Sequence, residues 1–265
     1  MSVIVRVEKI LARSNTRKTL EDPVATEAPV NIFINGEYVI TLLATPQFQK
    51  ELALGWLFDE GVLQSSDEVT EVLIDQDNAN VVTKRSVNEE RLRAVGVSRL
   101  VTTACELSAR EFFRIITQAC KPVNSDYEVE AGEIIKMVGR LDEATLFRAT
   151  GGVHAAALFE EKRLVAFAED VGRHNAVDKV VGIGILSGAN LSRCVLVSSG
   201  RQPADMVLKA ARMGIPIVAS RAAPIRSGII AAERTGVTLV CFVRDQQLNV
   251  YTHPSRILTD DASTS

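Results

Sequence analysis

Alternating apolar and polar positions divide the first hundred residues into short strands around one helix. Residues 30–34 and 38–43 are β-prone runs joined by Asn35-Gly36, a dipeptide that favours a tight hairpin turn. Residues 69–74 and 80–83 repeat this pattern across the polar residues 75–78. Between the hairpins, apolar residues recur at helical spacing after Pro46, and Gly61 stands where a helix-ending glycine belongs. We interpret residues 1–20 as an edge strand.

The second half of the chain changes to buried strands that alternate with helices. Residues 155–159 and 164–167 predict a hairpin, residues 175–186 predict a helix, and residues 195–243 follow a β-α-β-α-β order. Short connections in this order predict parallel strands joined by right-handed crossovers. The predicted fold class is therefore α/β, with a layered mixed sheet in residues 100–258. A smaller strand-rich domain precedes it in residues 1–99, with a linker within residues 84–93, and residues 259–265 form a flexible tail.

The composition fits a globular protein, with 46% hydrophobic and 24% charged residues. No apolar run approaches the roughly 18 residues that a membrane helix needs, and no signal-peptide core follows the N-terminus. The chain has four cysteines, too few for a disulfide scaffold, and they lack paired metal-ligand spacing. We therefore expect a cytoplasmic protein in a reducing environment, without a metal site.

Charge is distributed unevenly along the chain, whose net charge is −3. Residues 140–256 hold twelve arginines and three lysines against ten acidic residues. Because arginine presents a planar fork of donors that matches phosphate oxygens, this bias fits a phosphate-bearing ligand, although a solvated arginine-rich surface would give the same count. Aromatic residues make up 5% and no basic run is interleaved with them, which argues against nucleic acid.

Cys105 differs from the other cysteines because it lies in a polar segment, residues 102–106. The residues that follow it have capping-box form, with Ser108 and Glu111, ahead of an apolar helical pattern. A helix N-terminus favours thiolate over thiol, which a sulfur nucleophile requires. We expect the other three cysteines, Cys120, Cys194 and Cys241, to be small core residues.

Three further segments place glycine beside polar residues where elements change. Gly151-Gly152 precedes His154, and the segment 169–175 contains His174; each histidine is either an acid/base group or a buried imidazole satisfied by the backbone. Ser199-Gly200-Arg201 follows a strand and precedes a helix, which predicts an anion-binding loop. This loop is not a Walker motif, and residues 182–184 lie inside a helical pattern, which argues against a dinucleotide fingerprint.

Together these segments resemble the FdhD family of formate dehydrogenase accessory sulfurtransferases. The resemblance runs from about residue 27 to 258, and its most specific part is the segment 169–179, Glu-Asp-Val-Gly-Arg-His-Asn-Ala-Val-Asp-Lys. It implies a cytidine-deaminase-like fold and a sulfur carrier. Such a carrier takes sulfane sulfur from a cysteine desulfurase as a persulfide and passes it to the molybdenum cofactor before that cofactor enters formate dehydrogenase.

The resemblance also assigns roles to residues of this chain. Cys105 falls at the first cysteine of the family's C-x-x-C loop, whereas Ser108 occupies the second cysteine position. The cargo is a molybdenum cofactor with two guanine dinucleotides, Mo-bis(molybdopterin guanine dinucleotide), and we expect a homodimer. The candidate cofactor-binding residues are Phe242, Val243, Arg244, Asp245, Gln246, Gln247, Gly151, Gly152, His174, Ser199, Gly200 and Arg201.

Other functions fit parts of this pattern. A zinc deaminase is rejected because neither H-x-E nor P-C-x-x-C occurs in the sequence. A thiol hydrolase could combine Cys105 with a histidine and Asp170. The stronger alternative is a chaperone that binds the molybdenum cofactor without transferring sulfur, and Ser108 in place of the second cysteine favours it.

Overall fold

A computed structural model of the chain describes residues 1–87, 120 and 122–259. Cys105, Ser108, part of the predicted linker and most of the predicted tail lie outside these residues. The strands are β1 (Ser2–Leu11), β2 (Thr16–Ala25), β3 (Ala28–Ile34), β4 (Glu37–Ala44), β5 (Val69–Asp75), β6 (Asn78–Thr83), β7 (Val129–Glu130), β8 (His154–Glu160), β9 (Arg163–Asp170), β10 (Cys194–Ser198), β11 (Ile217–Ser220), β12 (Thr238–Arg244), β13 (Gln247–Val250) and β14 (Ile257–Leu258).

The α-helices are α1 (Gln49–Asp59), α2 (Ala131–Gly139), α3 (Thr145–Thr150), α4 (Arg173–Leu186), α5 (Ala204–Arg212) and α6 (Arg226–Thr235). Short 3-10 turns cover Ser66–Glu68, Arg140–Glu143, Leu191–Arg193 and Pro254–Arg256. None of these helices is long and apolar enough to cross a membrane. The chain thus has the mixed α/β composition that the sequence predicts.

The central element is a six-stranded sheet in the order β13-β12-β11-β10-β8-β9. Strands β10, β11 and β12 are parallel and are connected through α5 and α6, which confirms the predicted β-α-β-α-β unit. Strands β8 and β9 form the predicted hairpin, and β8 pairs with β10 in the antiparallel sense. One face of the sheet packs on α4, α5 and α6, and the other face packs on α2.

A four-stranded sheet, in the order β4-β3-β6-β5, covers one face of α1. Its two hairpins confirm both N-terminal predictions. At the first turn Asn35 and Gly36 have φ of 51° and 85°, as a tight turn between twisted strands requires. Helix α1 begins at Gln49 rather than at Pro46, because Phe48 adopts a left-handed conformation at its N-cap. Gly61, with φ of 74°, ends the helix as predicted.

Helices α1 and α4 lie in direct backbone contact. A Cβ on Gly55 would overlap the carbonyl oxygen of Asp178, and a Cβ on Gly182 would overlap that of Glu51. Glycine is therefore required at both positions because any larger residue would push the two helices apart. This contact joins the four-stranded sheet and its helix to the helical layer of the six-stranded sheet.

The interpretation of residues 1–20 as one edge strand is wrong. Strands β1 and β2 form an antiparallel two-stranded ribbon and pair with each other from Ser2–Ala25 to Leu11–Thr16. The turn between them contains neither glycine nor proline. Asn15, a residue that tolerates positive φ, adopts the left-handed conformation there instead.

Candidate functional site

Two loops at the carboxyl ends of parallel strands form the floor of the candidate site. Residues 199–203 follow β10 and residues 221–225 follow β11, and ligands of open α/β sheets bind at this edge. The Ser198 hydroxyl accepts the Gly200 amide at 3.1 Å, and the Ser220 hydroxyl donates to the Gly200 carbonyl at 2.8 Å. Backbone bonds from Gln202 to Ala223 and back from Ile225 hold the two loops together.

A cavity of about 370 Å³ opens beside these loops at the start of β8. Its volume lies in the lower part of the range of ligand pockets, about 300–1,000 Å³. Predicted site residues Gly151, Gly152 and Ser199 line it. Sequence reasoning missed Arg221, although it follows β11 as Arg201 follows β10. The full lining is Leu141, Ala144, Phe147, Gly151, Gly152, Val153, His154, Ala155, Val171, Ser199 and Arg221.

His154 and Ser199 form a hydrogen-bonded pair in the cavity wall. The Nδ1 atom of His154 lies 3.2 Å from the Ser199 hydroxyl, and the Ala155 amide donates to that hydroxyl at 3.0 Å. Burial lowers the pKa of His154, and the positive groups of Arg173, His174 and Arg201 lower it further. The imidazole is therefore neutral at pH 7, so the pair can present polar hydrogens to a ligand without adding charge.

Cationic side chains surround this pair. Gly200 packs against Arg173, whose side chain would lie 3.0 Å from an added Cβ. This close approach brings the start of α4 against the loop after β10. Arg221 binds Asp142 at 2.7 Å on the other side of the cavity. The positive charges and the backbone amides of the glycine turns suit an anionic ligand.

His174 and Arg201 are not among the cavity-lining residues. The Nε2 atom of His174 lies 2.9 Å from a carboxylate oxygen of Asp205 on α5. Burial raises the pKa of Asp205, but its hydrogen bond and attraction to His174 outweigh burial, so the net shift is downward. The pair is partly exposed and ties the first turn of α4 to that of α5.

Several polar residues of the segment 169–179 form buried hydrogen bonds and an ion pair that hold the fold together. Lys179 is fully buried and binds Asp170 at 2.6 Å and the Thr45 carbonyl at 2.9 Å. The Asn175 amide donates to Asp170 at 3.0 Å and to the Leu43 carbonyl at 2.8 Å. These bonds join α4 to the end of β4. Asp170 itself is not among the residues that line the cavity, although the next residue, Val171, is.

A second buried ion cluster lies where α1, α4 and α5 meet. Lys209 of α5 binds Asp178 at 2.5 Å and lies 3.8 Å from Asp59. Burial lowers the pKa of Lys209, but the carboxylates of Asp178 and Asp59 outweigh burial and raise it. The pKa of Asp59 is raised mainly by burial and is lowered less strongly by Lys209. Burial therefore favours the protonated form of Asp59, whereas Lys209 favours its carboxylate.

Three cysteines are buried, as their apolar surroundings predict: Cys120, Cys194 and Cys241. Burial raises the pKa of Cys120 and raises those of Cys194 and Cys241 to about 12. Because the thiolate is the nucleophilic form, none of the three is suited to accept sulfur at neutral pH.

The segment 242–247 lies at the hairpin between β12 and β13. Val243 is buried in the core beside α2, whereas Arg244 is exposed and lies over the Phe242 ring at 5.5 Å. Asp245 and Gln246 form the turn. None of the six residues of this segment lines the cavity. Their proposed contact with a cofactor stays a prediction.

The family model and the similar relatives described below point to the same family. Residues 25–258 match the model of the FdhD/NarQ family. The chain is 37% identical over 242 residues to a sulfur carrier protein FdhD from Shouchella clausii, covering 90% of this chain and 91% of the relative. It is also 37% identical to a sulfur carrier protein FdhD from Methanothermobacter thermautotrophicus, covering 91% and 94% of the two chains.

A solved structure has the same overall fold. The crystal structure of a candidate formate dehydrogenase accessory protein from Desulfotalea psychrophila superposes with a TM-score of 0.80. It is 30% identical in sequence, and the alignment covers 97% of this chain and 99% of that chain.

Proposed function

We propose that this chain, which belongs to the FdhD/NarQ family, is a sulfurtransferase of the carrier type that serves formate dehydrogenase. It accepts sulfane sulfur from a cysteine desulfurase on Cys105 and transfers this sulfur to the molybdenum cofactor before the cofactor enters the enzyme. The observation that carries the proposal is the match to sulfur carrier proteins along about 90% of the chain. By family likeness, we also propose that the six-stranded domain is related to the cytidine deaminase fold.

The state of the other cysteines supports Cys105 as the carrier. Cys120, Cys194 and Cys241 are buried with raised pKa values, so sulfur transfer through them would need a costly deprotonation. Cys105, the remaining one of the four cysteines in the sequence, is therefore the candidate.

The proposed loading step is a thiol exchange. The Cys105 thiolate attacks the outer sulfur of the desulfurase persulfide, a new S–S bond forms on Cys105, and the desulfurase thiolate leaves. In the delivery step a nucleophilic acceptor attacks the outer sulfur with its own electron pair, the S–S bond breaks, and the Cys105 thiolate leaves with the bonding pair. One thiolate is sufficient for both exchanges, so Ser108 at the second position is compatible with the carrier function.

The cavity beside Ser199 is our candidate site for part of the cargo. A volume of about 370 Å³ fits one nucleotide moiety rather than a cofactor with two guanine dinucleotides. Its glycine turns, its neutral His154 and the Arg221 guanidinium fit diphosphate oxygens. When bound, the molybdenum cofactor supplies the metal that accepts sulfur, while the residues of this chain hold its phosphates.

GDP binding tests the cargo site independently of sulfur transfer. We expect GDP to raise the melting temperature, with about 2.7 kcal/mol of stabilisation at a hundredfold excess over its dissociation constant. Arg221→Ala should weaken binding, whereas Arg163→Ala, which removes an exposed arginine remote from the cavity lining, should not. A flat titration of the wild-type chain, or equal binding by both variants, would exclude this cavity as the site.

Restoration of formate dehydrogenase activity in cells that lack the protein separates the two candidate functions. A sulfur carrier predicts that Cys105→Ala restores no activity although it still binds GDP. A chaperone without sulfur transfer, the alternative that Ser108 favours, predicts normal restoration by the same variant.

A further inference from the structure

Phe147 presents an uncovered aromatic ring to the cavity. It lines the cavity and is 48% exposed. Phe147 belongs to none of the three hydrophobic cores, and its ring makes no ring–ring or cation–π contact among the residues that the structure describes. Exposed apolar residues are common on protein surfaces, so the position of this one inside a cavity is what indicates a ligand.

Hydrogen bonds fix both backbone polar groups of Phe147. Helix α3 has six residues, too few to be stable by itself. At its start the Glu169 carboxylate accepts the amides of Leu146 at 3.1 Å and of Phe147 at 2.7 Å. At its end the Gly151 amide donates to the Phe147 carbonyl at 2.7 Å, and Gly151 has the left-handed conformation that ends the helix. The backbone that carries the ring is therefore held in place before a ligand binds.

Glu169 reaches α3 because of its position on β9. It pairs with Ala155 of β8, and directly paired residues of antiparallel strands point to the same side of a sheet. Ala155 lines the cavity, so Glu169 stands on the cavity side of this hairpin. Glu169 is also the first residue of the segment 169–179, and it binds α3 rather than the end of β4 that its neighbours contact.

The rest of the lining specifies the class of ligand. Buried apolar residues, among them Leu141 and Val153, line the cavity together with Phe147, and they suit the faces of a flat ring. Aromatic side chains stack on such rings, and stacking tolerates different ring types because each has a π face. The Arg221 guanidinium suits anionic oxygens. A ligand that satisfies both has a planar heteroaromatic ring joined to an anionic group.

We propose that Phe147 stacks on the planar heteroaromatic ring of an anionic ligand, and that Glu169 is the positioning residue that holds Phe147 there through α3. The inference rests on the proposed cargo site and adds the residue that recognises the ring. It assigns ring recognition to α3 rather than to Phe242 of the segment 242–247. A guanine nucleotide and an acidic pterin both have this chemistry, and the experiment below distinguishes them.

Isothermal titration calorimetry of the full chain separates ring recognition from phosphate recognition. The ligands are GDP, pterin-6-carboxylate and inorganic pyrophosphate. Phe147→Leu keeps an apolar side chain but removes the flat ring, so it should weaken binding of the ring-containing ligand about 10-fold and leave pyrophosphate binding unchanged. Phe147→Trp should bind as the wild type does. The matched control is Tyr38→Leu, which removes an exposed ring outside the cavity lining and should change neither affinity.

Glu169→Gln tests the positioning role. This variant keeps the size of the side chain but leaves one acceptor oxygen for two amides. We expect faster amide hydrogen exchange at Phe147 and weaker binding of the ring-containing ligand, with pyrophosphate binding unchanged. Loss of pyrophosphate binding as well would show general damage to the cavity and would overturn the positioning role.

The stacking proposal fails if Phe147→Leu binds the ring-containing ligand as tightly as the wild type does. It also fails if Phe242→Leu weakens this binding instead, or if the wild-type chain binds neither GDP nor the pterin. Sulfur loading of Cys105 by a desulfurase, measured on the same proteins, keeps the two questions apart. Normal loading in a chain without a ring site leaves the carrier function standing, whereas absent loading contradicts the carrier function and not the stacking.

Discussion

Lys209→Met is expected to be among the most destabilising substitutions outside the apolar core. The substitution keeps the length of the side chain and its packing between α1, α4 and α5, but removes its charge. The Asp178 carboxylate then loses the ammonium group at 2.5 Å. One oxygen of Asp178 and both oxygens of Asp59 already lack a hydrogen-bond partner among the described residues. The variant therefore leaves an uncompensated carboxylate in the interior.

Removing one member of a buried ion pair costs about 3–5 kcal/mol. For a chain of this size each kcal/mol lowers the melting temperature by about 2–4 °C, so we expect a decrease of roughly 6–20 °C. Asp59→Asn should cost less than Lys209→Met, because burial raises the pKa of Asp59 and the neutral amide avoids the cost of burying a carboxylate. The double variant Lys209→Met/Asp178→Asn should recover part of the loss, since it removes the unpaired charge.

Thermal unfolding followed by circular dichroism measures these differences. The control is Lys136→Met, which breaks an ion pair with Glu133 of similar length, 2.7 Å, at an exposed position. We expect no measurable change from it, because exposed pairs are screened by solvent. If Lys209→Met melts at the same temperature as Lys136→Met, the cluster does not stabilise the contact between these helices.

Three further predictions concern other parts of the molecule. Gly55→Ala should strongly destabilise the chain by separating α1 from α4, whereas Gly132→Ala, whose Cβ meets open space in α2, should be neutral or stabilising by up to about 1 kcal/mol; urea unfolding compares them. The ring of His154 should titrate by NMR below the reference pKa of about 6.5. The unfolded chain binds this proton more readily than the folded chain. The contribution of His154 to stability is therefore full above the reference pKa and is lost as the pH falls from there through the lower pKa of the folded chain. Unfolding measured as a function of pH should show the free energy of unfolding decrease in this direction. His174→Ala should raise the pKa of Asp205, measurable by carboxyl NMR, and an unchanged pKa would refute their pairing.

Local sequence signals predict much of the fold. Asn35-Gly36 determines its hairpin because the turn conformation depends on those two residues, and the β-α-β-α-β unit follows from short connections. The ribbon was missed because its turn lacks glycine and proline. The stretch interpreted as one strand, residues 1–20, also ends within β2, so the second strand of the pair was not recognised. The contact between α1 and α4 was missed because it depends on Gly55 and Gly182, which lie far apart in sequence.

The candidate site was predicted less completely. Ser199 and the glycines before His154 line the cavity because each follows or precedes a strand of the central sheet. The segment 169–179 indicates the family correctly, but the sequence shows its charged residues without their buried partners. Lys179 binds the carbonyl of Thr45, a residue with no recognisable link to it in sequence. Arg221 could have been predicted as a cavity residue, because it directly follows the strand β11.

Mass spectrometry of the full chain tests the sulfur-carrier function most directly. The protein is incubated with cysteine and a cysteine desulfurase, digested without reductant, and the four cysteine-containing peptides are compared. The carrier function predicts the mass of one added sulfur atom on the Cys105 peptide, and none on the buried cysteines or in Cys105→Ala. An unmodified Cys105 beside an active desulfurase, or sulfur on Cys194 or Cys241 instead, would contradict it.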